Sequence, residues 1–144
     1  MLVKQVSVFL ENKSGRIFEV ADTLGRNGID ISALSIADTT DFGIMRLIVN
    51  QPEKALEVLK KDGFTVSSTE VIAVEVPDQP GGLALALKIL NNAGISIEYL
   101  YAFTAKMGVE GALVMFRVEE PTKAIEALEK NGINVLSGQE VYDL

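Results

Sequence analysis

Two consecutive α+β units, each of βαββαβ order, are what this sequence predicts. Three observations lead there. An internal repeat covers nearly the whole chain, period-2 and period-3.6 apolar patterns alternate within each copy, and glycine or proline stands at matched element ends.

The repeat aligns Val8–Val66 with Val74–Val135. Ser14-Gly15 opens a segment that runs to Gly28 and Ile29-Asp30-Ile31, and Pro80-Gly81 opens one that runs to Gly94 and Ile95-Ser96-Ile97, all offset by 66 residues. Beyond them Pro52, Lys54, Ala55, Gly63 and Val66 match Pro121, Lys123, Ala124, Gly132 and Val135, now offset by 69. The extra residues fall around Thr104–Gly111, between two β segments, where a hairpin tip tolerates insertion.

Each copy begins with an alternating, strand-like stretch, Val6-Ser7-Val8-Phe9-Leu10 or Ile72-Ala73-Val74-Glu75-Val76. Ile17, Val20, Ala21 and Leu24 then follow helical spacing, as do Leu83, Ala86, Leu87 and Leu90. Gly28 and Gly94 stand where these helices end. Two β-rich segments follow: Ile29–Ala37 with Phe42–Val49, and Ile95–Thr104 with Ala112–Val118. Pro52 and Pro121 suit the first turn of a second helix, whose apolar side carries Ala55, Leu56 and Leu59 or Ala124, Ile125 and Leu128. Gly63 and Gly132 end those helices, and Phe64–Ser68 and Ile133–Leu136 supply the last strands.

This order gives two ferredoxin-like sandwiches, each a four-stranded antiparallel sheet with helices on one face. The domains are expected at 1–70 and 71–144, with almost no linker at Thr69–Val71. So short a connection would let the sheets join edge to edge into eight strands. In Ile44–Val49 and Ala112–Phe116 both alternating sets are largely apolar, although helices cover only one face. A covered second face follows, and with it a homodimer packed through sheet faces or sheet edges.

Composition narrows the chemistry. With 13 basic against 20 acidic residues, a net of −7, the chain lacks the cationic stripe that nucleic acid or an anionic membrane would need. There is no cysteine and no histidine. That removes disulfides, thiol nucleophiles and the usual zinc ligands, together with the side chain that titrates near neutrality. No cofactor or metal is expected. Lys4 and Gln5 interrupt the apolar start of the chain, so no secretory leader is expected; Leu83–Leu90 contains Lys88 and is too short to span a bilayer. A cytoplasmic protein is the resulting expectation.

The most informative segment joins the first strand to the first helix. It reads Glu11-Asn12-Lys13-Ser14-Gly15-Arg16-Ile17 in copy one and Pro77-Asp78-Gln79-Pro80-Gly81-Gly82-Leu83 in copy two. Glycine lets backbone approach a ligand, and helix-start N–H groups attract a carboxylate. The same residues also serve a plain turn, with Asn12, Ser14 and Asp78 as caps and Pro80 as a stiffener.

A βαββαβ unit with Asp/Asn-x-Pro/Ser-Gly-x-Leu/Ile at its first helix start, and Gly-Ile-x-Ile after that helix, resembles the ACT domain. The resemblance covers the whole chain, once per copy, and so extends to stand-alone tandem ACT proteins. Copy one departs from the usual loop by having Ser14 in place of proline; Asp30 and Ser96 stand where the family often has asparagine. The resemblance implies a small ligand, most often an amino acid, bound where two ACT units meet. Carried over residue by residue, it implicates Asn12, Ser14, Gly15, Arg16, Asp30, Asp78, Gln79, Gly81, Gly82 and Ser96. The copy-two loop follows the pattern more closely and is expected to hold the intact site.

Other candidates have plainer readings. Tyr99, Tyr101 and Phe103 would form an aromatic face, but no basic residues accompany it. Glu119-Glu120 and Asp38 with Asp41 read as helix-start and loop acids, and Lys54, Lys60, Lys61, Lys123 and Lys130 as solvated helix faces. The leading expectation is a non-catalytic sensor that controls a separate enzyme. A small mutase or isomerase, or an architectural subunit that binds nothing, are the competing ones.

Overall fold

The computed structural model describes residues 2–11, 14–38, 42–104 and 110–144. The chain forms two compact units, Lys4–Thr69 and Glu70–Leu144, the latter together with the N-terminal residues through Val3.

In the first unit the order is β1 (Val3–Glu11), α1 (Arg16–Arg26), β2 (Ile31–Asp38), β3 (Phe42–Val49) and α2 (Pro52–Lys61), closed by the first residues of β4 (Thr65–Val76). The strands lie in the order β2-β3-β1-β4. Val6 pairs with Leu47 and Val8 with Met45 across the antiparallel β1–β3 ladder. These four side chains face the helices and bury against Val20 and Leu24 of α1 and Ala55 and Leu59 of α2. Period-2 spacing on the strands meets helical spacing on the helices, and each such buried aliphatic contributes about 1.5–3 kcal/mol. Pro52 begins α2, as its missing N–H permits.

The second unit repeats this with the second half of β4, α3 (Gly82–Asn92), β5 (Ile97–Ala102), β6 (Ala112–Val118), α4 (Pro121–Lys130) and β7 (Asn134–Leu136), in the order β5-β6-β4-β7. Ile72, Val74, Leu90, Phe116 and Leu128 are fully enclosed at its centre. The duplication extends to irregularities: the ladder register shifts between Ile31 and Ala33 in β2, and between Ile97 and Tyr99 in β5.

Four features differ from the sequence expectation. Among the described residues the anticipated eight strands are seven, because β4 runs unbroken through the predicted boundary; Thr65–Val76 contains no glycine or proline to stop it. A short helix, α5 (Gly138–Tyr142), follows β7. Its start carries a capping box: the Ser137 hydroxyl accepts from the Glu140 N–H at 3.2 Å, and the Glu140 carboxylate accepts from the Ser137 N–H at 2.6 Å. On α1, Ile17 is exposed and the buried residues are Val20, Thr23 and Leu24; Leu83 of α3 is likewise exposed. Thr23 is accommodated because its hydroxyl donates to Asp62 Oδ2 at 2.7 Å. Finally, Lys54 is not simply solvated: its Nζ donates to the Asn27 carbonyl at 2.8 Å, at the C-terminal end of α1.

The second sheet face is apolar as expected, with Ile48, Ala73 and Met115 at 0% exposure. Tyr101 is buried and stacks on Tyr99 with centroids 6.4 Å apart. Asn12, Asp41 and most of the Thr104–Gly111 insertion lie outside the described residues. Among the described residues no helix is long and apolar enough to cross a membrane.

Candidate ligand-binding site

Both strand-to-helix turns end in the same backbone geometry. Gly15 has φ 87° and ψ −7°, and Gly81 has φ 86° and ψ −5°, a left-handed conformation that L side chains avoid. Each glycine is the cap residue of its helix, and its carbonyl accepts the first helical bond at 3.0 Å, from Glu19 or from Leu85. Being glycine, the cap residue brings no capping side chain to either helix start. Ser14 and Asp78 precede the cap position, within the turns.

The copy-two turn is tight. The Gln79 N–H donates to the Pro77 carbonyl, and the Gly82 N–H to the Gln79 carbonyl, both at 2.9 Å. A Cβ on Gly82 would lie 1.8 Å from the Pro77 carbonyl oxygen. Gly82 is therefore a packing requirement of this turn. Its counterpart, Arg16, carries a full side chain.

Beside each turn, at matching places in the two copies, lies an open depression. The first, about 210 Å³, is lined by Phe9, Leu10, Glu11, Arg16, Phe42, Gly63, Phe64 and Thr65. The second, about 260 Å³, is lined by Glu75, Val76, Pro77, Asp78, Glu110, Gly111, Gly132, Ile133 and Asn134. The end of the first strand, the start of the third and the start of the fourth build each one. Their chemistry is opposite. In the first, the Arg16 guanidinium carbon stands 5.8 Å from the centroid of the Phe64 ring, and its Nη1 bonds Glu19 at 2.9 Å. In the second, Glu75, Asp78 and Glu110 contribute three carboxyl groups, and among the described residues no cation lines the space.

The nine described sequence candidates do not converge within one unit, and Asn12 lies outside the described residues. Arg16 lines the first depression and Asp78 the second. Ser14, Gly15, Gln79 and Gly81 are exposed on the turns, and Gly82 is buried. Asp30 and Ser96 precede β2 and β5 and line neither depression. Each instead holds the start of its hairpin, its carbonyl accepting at 3.2 Å from the Asn50 or Glu119 N–H. The Asp30 N–H also donates to Asn50 Oδ1 at 2.9 Å.

Phe9, Phe42 and Phe64 were not singled out in the sequence. A signal existed: aligning the copies puts Glu75, Gly111 and Ile133 at those positions, so the aromatics belong to one copy alone. Glu120, read as a helix-start acid, is the cap residue of α4 and lies 3.8 Å from Lys123. No group of three or more metal-ligating side chains occurs among the described residues.

Comparison with known proteins agrees with this architecture. A family model described as an ACT domain pair matches residues 1–144. A solved protein from Bacteroides thetaiotaomicron is 41% identical with a TM-score of 0.92, the match covering 100% of this chain and 98% of that one. The ligand-free regulatory subunit of aspartate kinase from Thermus thermophilus shares the fold at 17% identity, with a TM-score of 0.65 and coverage of 91% and 94%. The corresponding subunit from Thermus flavus does so at 15% identity, with a TM-score of 0.60 and coverage of 88% and 90%. No curated protein matches. Two ferredoxin-like units, duplicated down to their left-handed glycine turns, and a family match over the full length lead to one conclusion: the chain belongs to the family of ACT domain pairs.

Proposed function

We propose that this ACT pair is a regulatory sensor that binds an amino acid at its strand-to-helix turns and catalyses nothing itself. One observation carries the reading: both copies keep a left-handed glycine as the cap of the helix beside a depression, although the flanking sequence has diverged. A helix start without a capping side chain is suited to a ligand carboxylate. Asn12, Ser14, Gly15, Arg16, Asp30, Asp78, Gln79, Gly81, Gly82 and Ser96 remain the proposed contacts, with Asp30 and Ser96 meeting ligand held by another ACT unit.

Such a sensor acts by changing contacts between units or with a separate enzyme chain, which requires that the ligand favour one arrangement over another. That two chains of similar fold are named regulatory subunits supports a separate enzyme as partner. A cytoplasmic location and a homodimer belong to the same proposal. The dimer draws support from the edge strands β2 and β5, which expose Leu34, Ile36 and Leu100.

Calorimetric titration of the chain with each common amino acid tests the core of the reading. Saturable binding that is lost when both caps are replaced, in the double variant Gly15→Val with Gly81→Val, is the expected result. The absence of saturation with every one of them would remove the sensor role.

A further inference from the structure

The two depressions are duplicates in position and opposites in lining. Copy one has Phe9, Phe42 and Phe64 where copy two has Glu75, Gly111 and Ile133, and Arg16 where copy two has Gly82. Phe9 and Phe42 are large apolar side chains left 47% and 61% exposed. Such exposure, gathered around a concave surface, marks a recognition site more than a failure of packing. Among the described residues, Arg16 is the cation of this lining. Its exposed ion pair with Glu19 engages one nitrogen and is weak, which leaves donors of the guanidinium fork available to an incoming acid.

We infer that the copy-one depression binds a carboxylate bearing a large apolar, preferably aromatic, group, and that the copy-two depression does not. The carboxylate pairs with Arg16 while the apolar group stacks among Phe9, Phe42 and Phe64. A space of about 210 Å³ is smaller than the pockets of drug-sized ligands and suits a single-ring molecule. Glu11 on the same lining is the acid that a ligand ammonium would meet, so an aromatic amino acid is favoured over its des-amino analogue. In copy two the described lining carries Glu75, Asp78 and Glu110 and no cation, which disfavours a carboxylate, and Gly82 cannot become arginine without moving the Pro77 carbonyl. The stoichiometry is thus one ligand per chain. This rests on the sensor reading only for the ammonium; the carboxylate and ring contacts stand without it.

The test is calorimetry on the intact chain with L-phenylalanine, 3-phenylpropionate and glycine, repeated on Arg16→Gln and Phe42→Ala. Both side chains are at least partly exposed, so neither variant endangers folding. Saturation by the two aromatic acids at one per chain, no saturation by glycine, and about tenfold or greater weakening in each variant is the expected outcome. Binding of 3-phenylpropionate without any amino acid would keep this inference and remove the amino-acid sensor. Binding of other amino acids but no aromatic acid, or aromatic binding that survives both substitutions, would overturn the inference and leave the sensor standing. Binding of nothing would overturn both.

Discussion

Gly82 packs so closely on Pro77 that a single added carbon would lie 1.8 Å from the Pro77 carbonyl oxygen. The helix start of copy two is held by this contact and by the bond from Gly82 N–H to the Gln79 carbonyl. Gly82→Ala should therefore cost about 2 kcal/mol or more, because the neighbour is backbone and cannot rotate away. Chemical denaturation of the variant against the parent measures it; a loss within about 0.5 kcal/mol would show that the turn is looser than described.

The left-handed caps give a second, graded expectation. Gly15→Ala and Gly81→Ala meet no steric neighbour, so their cost is the conformational one alone, about 1–2 kcal/mol each. Asparagine at either position should recover part of that loss. Equal destabilisation by alanine and asparagine would argue that the cost lies elsewhere.

Thr23 and Asp62 link α1 to the end of α2 through a 2.7 Å hydrogen bond from a hydroxyl that is almost fully buried. Thr23→Val keeps the shape, removes the donor and should cost about 1–2 kcal/mol. In a double-mutant cycle with Asp62→Ala the two effects should fall well short of additivity. Full additivity would mean that the bond contributes nothing to stability.

Lys4 and Glu53 join β1 to α2 at 2.8 Å. The hydrogen bond from Lys4 holds the Glu53 carboxyl below its usual range, with the residue's own backbone hydrogen bond adding to the effect. A depressed carboxyl stabilises the fold fully above the ordinary glutamate range and loses that contribution as pH falls through its folded value. Both groups are exposed, so the effect is small. Glu53→Gln should flatten slightly the decline of melting temperature between neutral and acid pH. An unchanged profile would assign the pair no role.

Much of the architecture could be read locally. Apolar periodicity located every strand and helix of the repeat. Pro52 and Pro121 marked helix starts, and the strands Phe42–Val49 and Ala112–Val118 fall as expected. The capping box at Ser137–Glu140 was equally visible as serine three residues before glutamate, and would have signalled α5. Less legible was which helix residues face inward. Ile17 and Leu83 fit the helical spacing yet lie near helix starts, at the end of the apolar stripe, and remain exposed.

By itself the sequence determined the duplication, the element order and the glycine turns, because these follow from residue spacing and from backbone conformations that only certain residues adopt. Tertiary structure decided the rest. Phe9, Phe42 and Phe64 are separated by tens of residues, and they gather at one depression because strand register sets Phe9 beside Ile44 and Phe42 beside Glu11. The same geometry in copy two gathers Glu75, Asp78 and Glu110. Spacing along a chain says nothing about such convergence, so the copy whose loop keeps the family pattern has the acidic depression, while the copy whose loop has drifted has the aromatic one.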